Sequence, residues 1–167
     1  KILSKNNLEL LSFKNSFFLI GKFNSLVNLH YSNKIKNILF EFDTYSSLHP
    51  LNIKTRNNAL MMAYHSGILK DYIGEQITLT LGGFLPQSNY NFFVKSHENQ
   101  LKSVRVRNYQ PYIDGIFESN NKIVLVLTDL YYANDLSLKE LFLPYLYWKS
   151  KTTKDIVNIY LTFSNDI

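Results

Sequence analysis

The residues best suited to chemistry lie in "YQPYIDGIFESNNKIVLVLTDLYY", residues 109–132. Asp114 opens one apolar stretch and Asp129 closes the next, with Asn120-Asn121 between them. Two such stretches around a two-residue connection predict a β-hairpin, because Asn tolerates positive φ. Residues two apart on a strand share a face, so an Asp on one strand and two polar groups at i and i+2 on its neighbour can surround a divalent cation. Carboxylate oxygens suit Mg²⁺, which polarises a phosphoryl oxygen and activates water, while a lysine stabilises charge or orients the nucleophile. A plainer reading stands beside this one: Asp114-Gly115 stabilises a bend and Asp129 is a solvated strand end.

The elements that must position these groups follow from periodicity. Ala59, Leu60, Met62, Ala63, Leu69 and Tyr72 recur at helical spacing and Gly74 stands where a helix stops, which predicts one helix over about 54–73. Strand character follows at 76–84, 90–96 and 102–109, the last alternating Val104 and Val106 with Arg105 and Arg107. Then come the hairpin, a second helix over 134–150 capped by Asp135 or Ser137, and a strand over 155–163. That last strand is apolar on both sides, as a buried strand is. Periodicity does not separate strands from short helices in residues 1–50.

Composition narrows the function classes. With 167 residues, 46% hydrophobic and 15% aromatic, the chain is long and apolar enough for a single domain over 1–167 with a real core. There is no cysteine, and His30, His49, His65 and His97 lack close ligand spacing, so a thiolate site or a zinc enzyme is not expected. Runs such as "FFLIG" and "IVLVL" fall far short of the roughly 20 residues of a membrane span, so the expectation is a cytoplasmic protein without a membrane partner. The formal net charge of +5 favours an anionic partner or simple solubility.

From "NALMMAYHSGILKDYIGEQITLTLGG" through "QPYIDGIFE", "KIVLV", "NDLSLKELFLPYLYW" and "LTFSNDI", the chain resembles the PD-(D/E)XK restriction-endonuclease-like family, and within it a group of bacterial type II restriction-enzyme-like proteins. The resemblance covers roughly residues 57–167. It implies an α/β (α+β) core over 54–167, a central mixed β-sheet flanked by helices, with 1–50 as an N-terminal elaboration. It also implies magnesium, or manganese, as the cofactor of an active form, double-stranded DNA as partner, and a homodimer as one arrangement. Asp114 matches the family's first metal-binding aspartate. The positions of the glutamate and lysine that end the next strand hold Leu127 and Asp129, one without a lone pair and the other of opposite charge.

Three readings follow from that departure. In the first, the domain keeps the fold and DNA affinity but has lost or nearly lost phosphodiester cleavage. In the second the site is rebuilt: Asp114 and Asp129 are the metal carboxylates, Glu118 or Glu140 gives the third oxygen, and Lys139 replaces the lost lysine. In the third, the domain holds a protein partner. Glu75 is a candidate supporting acid. For nucleic acid, Arg105 and Arg107 share a strand face, Lys149 and Lys151 cluster after the second helix, and Arg56 stands at the first, each with an ordinary basic surface as its plain alternative.

Overall fold

The computed structural model describes residues 9–13, 17–21, 26–27, 55–95, 99–129 and 136–163, with side chains over 55–95, 99–129 and 140–163. The first helix, α1 (Arg56–His65), begins where the Thr55 hydroxyl accepts the Asn58 amide at 3.2 Å, satisfying one of the donors a helix start leaves open. It does not continue to 73. Gly67 takes φ 82°, a left-handed conformation that costs glycine least, and α2 (Ile68–Ile73) restarts the helix with a new phase. Ile73 therefore enters the core, and Tyr72, expected there, is 73% exposed.

The central sheet holds β4 (Thr78–Phe84), β7 (Tyr112–Glu118), β8 (Lys122–Asp129) and β10 (Asp155–Thr162), in the order β10-β8-β7-β4. β4 and β8 each run antiparallel to β7, whereas β10 runs parallel to β8. A parallel return needs a long crossover, and α3 (Leu138–Lys149) lies within it. The sheet is thus mixed, in an α+β domain. Strand β8 is buried on both faces, which explains its unbroken apolar run. On one face Val124, Val126 and Phe117 pack with Leu60, Ala63, Leu69 and Ile73 of the first two helices. On the other, Ile116, Leu125 and Leu127 pack with Leu141, Tyr145 and Trp148 of α3.

Three smaller pairings complete the described residues. β5 (Ser88–Lys95) and β6 (Leu101–Tyr109) form an antiparallel ribbon inserted between β4 and β7. β1 (Glu9–Phe13) pairs with β2 (Phe17–Gly21), and β3 (Leu26–Val27) with β9 (Leu136–Ser137), which joins the N-terminal third to the segment before α3. No helix among the described residues is long and apolar enough to cross a membrane.

Two expectations need correction. β10, expected as a buried strand, lies at the edge of the four-stranded sheet among the described residues. It is apolar on both sides because helices cover both faces, not because strands flank it. The hairpin connection is Ser119-Asn120-Asn121 rather than the Asn pair alone. The Ser119 hydroxyl accepts the amides of Asn121 and Lys122 at 3.2 and 2.9 Å, so a side chain shapes the turn without positive φ at either Asn.

Candidate functional site

Asp114 sits in a β-bulge. Between the pairs Leu81–Ile116 and Gly83–Ile113, the single residue Gly82 of β4 faces both Asp114 and Gly115 of β7. Glycine is required at 82, where a Cβ would come within 2.7 Å of the Asp114 carbonyl oxygen. The neighbouring glycine does not make a bend. A Cβ at 115 would meet Leu60 at 2.7 Å, so Gly115 lets α1 lie against the sheet in mid-strand.

The bulge changes how β7 meets β8. Their paired register spans Gly115–Val126 to Glu118–Ile123, and past it the Asp114 carboxylate accepts the Thr128 amide at 2.7 Å. Its other oxygen accepts the Tyr112 hydroxyl at 3.1 Å. Two residues on from Leu127, the Asp129 carboxylate accepts the Tyr160 hydroxyl at 3.0 Å and lies 3.9 Å from the Arg56 guanidinium. Tyr160 is brought there because parallel pairing sets it beside Leu127. An open cleft of about 120 Å³ lies alongside, lined by Arg56, Tyr109, Tyr112, Leu127, Glu140 and Pro144 among others.

The tyrosines record the charge of this cleft. Burial, followed by the hydrogen bond to Asp129, pushes the Tyr160 hydroxyl up to about 12. Tyr112 is raised by burial and then by Asp114, and Tyr109 by burial and then by Glu140. Arg56 opposes the shift at both Tyr112 and Tyr160.

Arg56 and Glu140 line one cleft, Asp114 and Asp129 adjoin it through Tyr112 and Arg56, and Glu118 is set apart. Glu118 lies four residues along β7, about 13 Å away at roughly 3.3 Å per residue, with its carboxylate on Lys154 at 2.9 Å. It is therefore no third ligand beside Asp114. Glu75 pairs with Lys122 at 2.9 Å, and Lys122 also donates to the Ile73 carbonyl, so this acid too belongs to the turn end of the hairpin. The side chain of Lys139 and the proposed caps Asp135 and Ser137 lie outside the described side chains. Arg105 and Arg107 are exposed on β6, Lys149 is exposed at the end of α3, and the Lys151 ammonium lies 4.8 Å from the centre of the Tyr147 ring.

Sequence reasoning missed Tyr112 and Tyr160, and placed Arg56 only as a nucleic-acid contact. Once β8 and β10 are read as parallel neighbours, the register that puts Thr162 beside Asp129 puts Tyr160 beside Leu127. That signal needs the pairing, which the sequence alone does not supply.

The described residues of this site do not fit a divalent metal. Leu127 is 4% exposed within an apolar cluster and offers no donor atom. Both Asp114 oxygens accept from protein donors, and Asp129 faces a guanidinium and a hydroxyl. Among the described residues, no three His, Cys, Asp or Glu side chains are grouped to hold an ion.

Fold and site together define a mixed α+β domain with a polar cleft where β7 and β8 part. The chain belongs to the family described as a domain of unknown function (DUF6997), whose model matches residues 21–167. No curated protein and no solved structure matches it.

Proposed function

We propose that this is a restriction-endonuclease-like domain that binds double-stranded DNA and has lost phosphodiester cleavage. The observation that carries the reading is the Arg56–Asp129–Tyr160 group beside the sealed Leu127. Of these, Leu127 and Asp129 stand where the resemblance implies a glutamate and a lysine. A guanidinium 3.9 Å from Asp129 already offers that carboxylate a positive charge, and Leu127 is packed under α3. The order of helix, antiparallel strands, helix and parallel strand supports the fold part of the reading. The net charge of +5 supports the DNA part.

Plasmid cleavage in Mg²⁺ or Mn²⁺ tests the loss of activity, with Asp114→Ala alongside. The expected result is no nicking by either protein. Metal-dependent nicking that Asp114→Ala abolishes would instead establish the rebuilt site, for which Glu140 on the same cleft is the available third acid. A mobility shift on duplex DNA at two salt concentrations tests binding, and no shift at micromolar protein and low salt ends that part of the proposal.

A further inference from the structure

The charge of the β5–β6 ribbon is one-sided. Its two strands carry Lys95, Lys102, Arg105 and Arg107 and not one carboxylate. Alternation gives it two different faces. Tyr90, Phe92, Val104 and Val106 pack on Phe142, Leu143 and Leu146 of α3, with the Phe92 and Phe142 rings edge to face at 5.2 Å. On the opposite side Asn91 pairs with Arg105, Phe93 with Ser103 and Lys95 with Leu101, and all six residues are exposed. Phe93 is 68% exposed, a large aromatic that the fold itself does not use.

The ribbon is also fixed in shape. A second bulge sets Arg107 and Asn108 opposite the single residue Asn89, and Asn108 takes φ 51°. Side chains lock that bulge: Asn89 accepts the Asn108 amide at 2.9 Å, and Gln87 donates to the Asn108 carbonyl at 2.6 Å. Bulges re-aim side chains at functional edges, and here the re-aimed residue is an arginine. The ribbon leads to the site, because Tyr109, the last residue of β6, lines the cleft beside Arg56 and Leu127.

We infer that the exposed face of the β5–β6 ribbon is the DNA-contacting element, lying in the major groove of a duplex with Arg105 and Arg107 on backbone phosphates. This rests on the proposed DNA-binding function and gives it a place. A two-stranded ribbon fits the roughly 12 Å major groove, and the described residues of its exposed face carry no carboxylate to repel the phosphates. Asn91, directly opposite Arg105, brings an amide able to pair with a base edge, and Phe93 brings apolar surface suited to a thymine methyl.

The test is a fluorescence anisotropy titration of a labelled mixed-sequence duplex over a series of salt concentrations. Wild type is compared with Arg105→Ala/Arg107→Ala, with Arg105→Lys/Arg107→Lys, and with Lys70→Ala on α2. Removing two phosphate contacts should weaken binding at least about tenfold and reduce the slope of log affinity against log salt by about 2. The lysine pair should keep the slope, and Lys70→Ala should bind as wild type. An unchanged melting temperature is expected for the alanine pair, since both arginines are exposed. If wild type binds duplex and the alanine pair binds equally well, the ribbon inference fails and the DNA-binding reading stands. The inference fails in the same way if Lys70→Ala weakens binding as much as the alanine pair does, or if single-stranded DNA or RNA displaces the duplex. If wild type binds no duplex, both fail.

Discussion

The two ends of the β7–β8 hairpin both bring carboxylates near cations and arrange them oppositely. At the turn end each cation has two acceptors: Lys122 holds Glu75 and the Ile73 carbonyl, and Lys154 holds Glu118 and the Ser119 carbonyl, the polar pairs all within 3.1 Å. These contacts tie β7 and β8 to α2 and to the start of β10. At the other end the carboxylates of Asp114 and Asp129 take tyrosine hydroxyls, and the Arg56 guanidinium stays at 3.9 Å and half exposed. Short, doubly satisfied pairs hold a fold. A cation standing off from its acid beside a cleft remains available to a ligand. Asp114 crosses this division, because one of its oxygens completes the sheet.

Asp114→Ala should therefore give the largest loss of stability, roughly 1–3 kcal/mol, since it leaves the amide of the buried Thr128 without an acceptor. Thermal unfolding would register about 2–4 °C for each kcal/mol in a domain of this size. Asp114→Asn should lose less, because its amide oxygen can still accept. A neutral Asp114→Ala would break the comparison by making the cleft end dispensable to the fold.

Next in size is the coupling at the turn. A double-mutant cycle on Lys154 and Glu118 should give roughly 0.5–1 kcal/mol, and the matching cycle on Arg56 and Asp129 less than about 0.5 kcal/mol. Urea unfolding of the seven proteins measures both, and a stronger Arg56 coupling would reverse the assignment of the two ends.

Alkaline titration gives a smaller effect of definite sign. The Tyr160 hydroxyl holds its proton up to about 12 in the fold against about 10 when unfolded, so its contribution is complete below pH 10. It fades as pH rises towards 12, and Tyr160→Phe should remove that fading from the pH dependence of unfolding. At the acid limit, the hydrogen bond from Lys122 holds Glu75 below its ordinary value. Its contribution is present above that value and is lost as pH falls through the lowered one, so Glu75→Gln should flatten the acid limb slightly. Stability curves for the two variants against wild type check both signs.

What was legible in the chain depended on the range of the signal. The hairpin, the second helix and the inner face of β6 could be read because alternation and helical spacing are local. The single helix over 54–73 was misread because its apolar spacing spans Gly67, and only the left-handed φ there reveals the change of phase. β10 was legible as a strand apolar on both faces, but its edge position was not, because periodicity is silent on which strand lies alongside. Asp114 was legible as a polar residue in an apolar strand, but its bulge depends on Gly82, thirty-two residues earlier. Glu118 was a different kind of miss: a strand's rise already places it far from Asp114. The tyrosines were illegible as site residues because twelve tyrosines in a chain read first as core.

Strands β8 and β10 run side by side, yet twenty-five residues separate Asp129 from Asp155, whereas β7 reaches β8 through three. Loop-closure entropy rises with intervening chain, so the hairpin is the cheaper contact to nucleate and the parallel seam the later one to close. Asp114 can meet the Thr128 amide as soon as the hairpin forms. Asp129 meets Tyr160 only after α3 has docked and the chain has returned. By this measure the Asp129–Tyr160 contact closes after the hairpin, so a molecule with β7 and β8 paired and β10 undocked would have Asp114 on the Thr128 amide but no hydroxyl on Asp129.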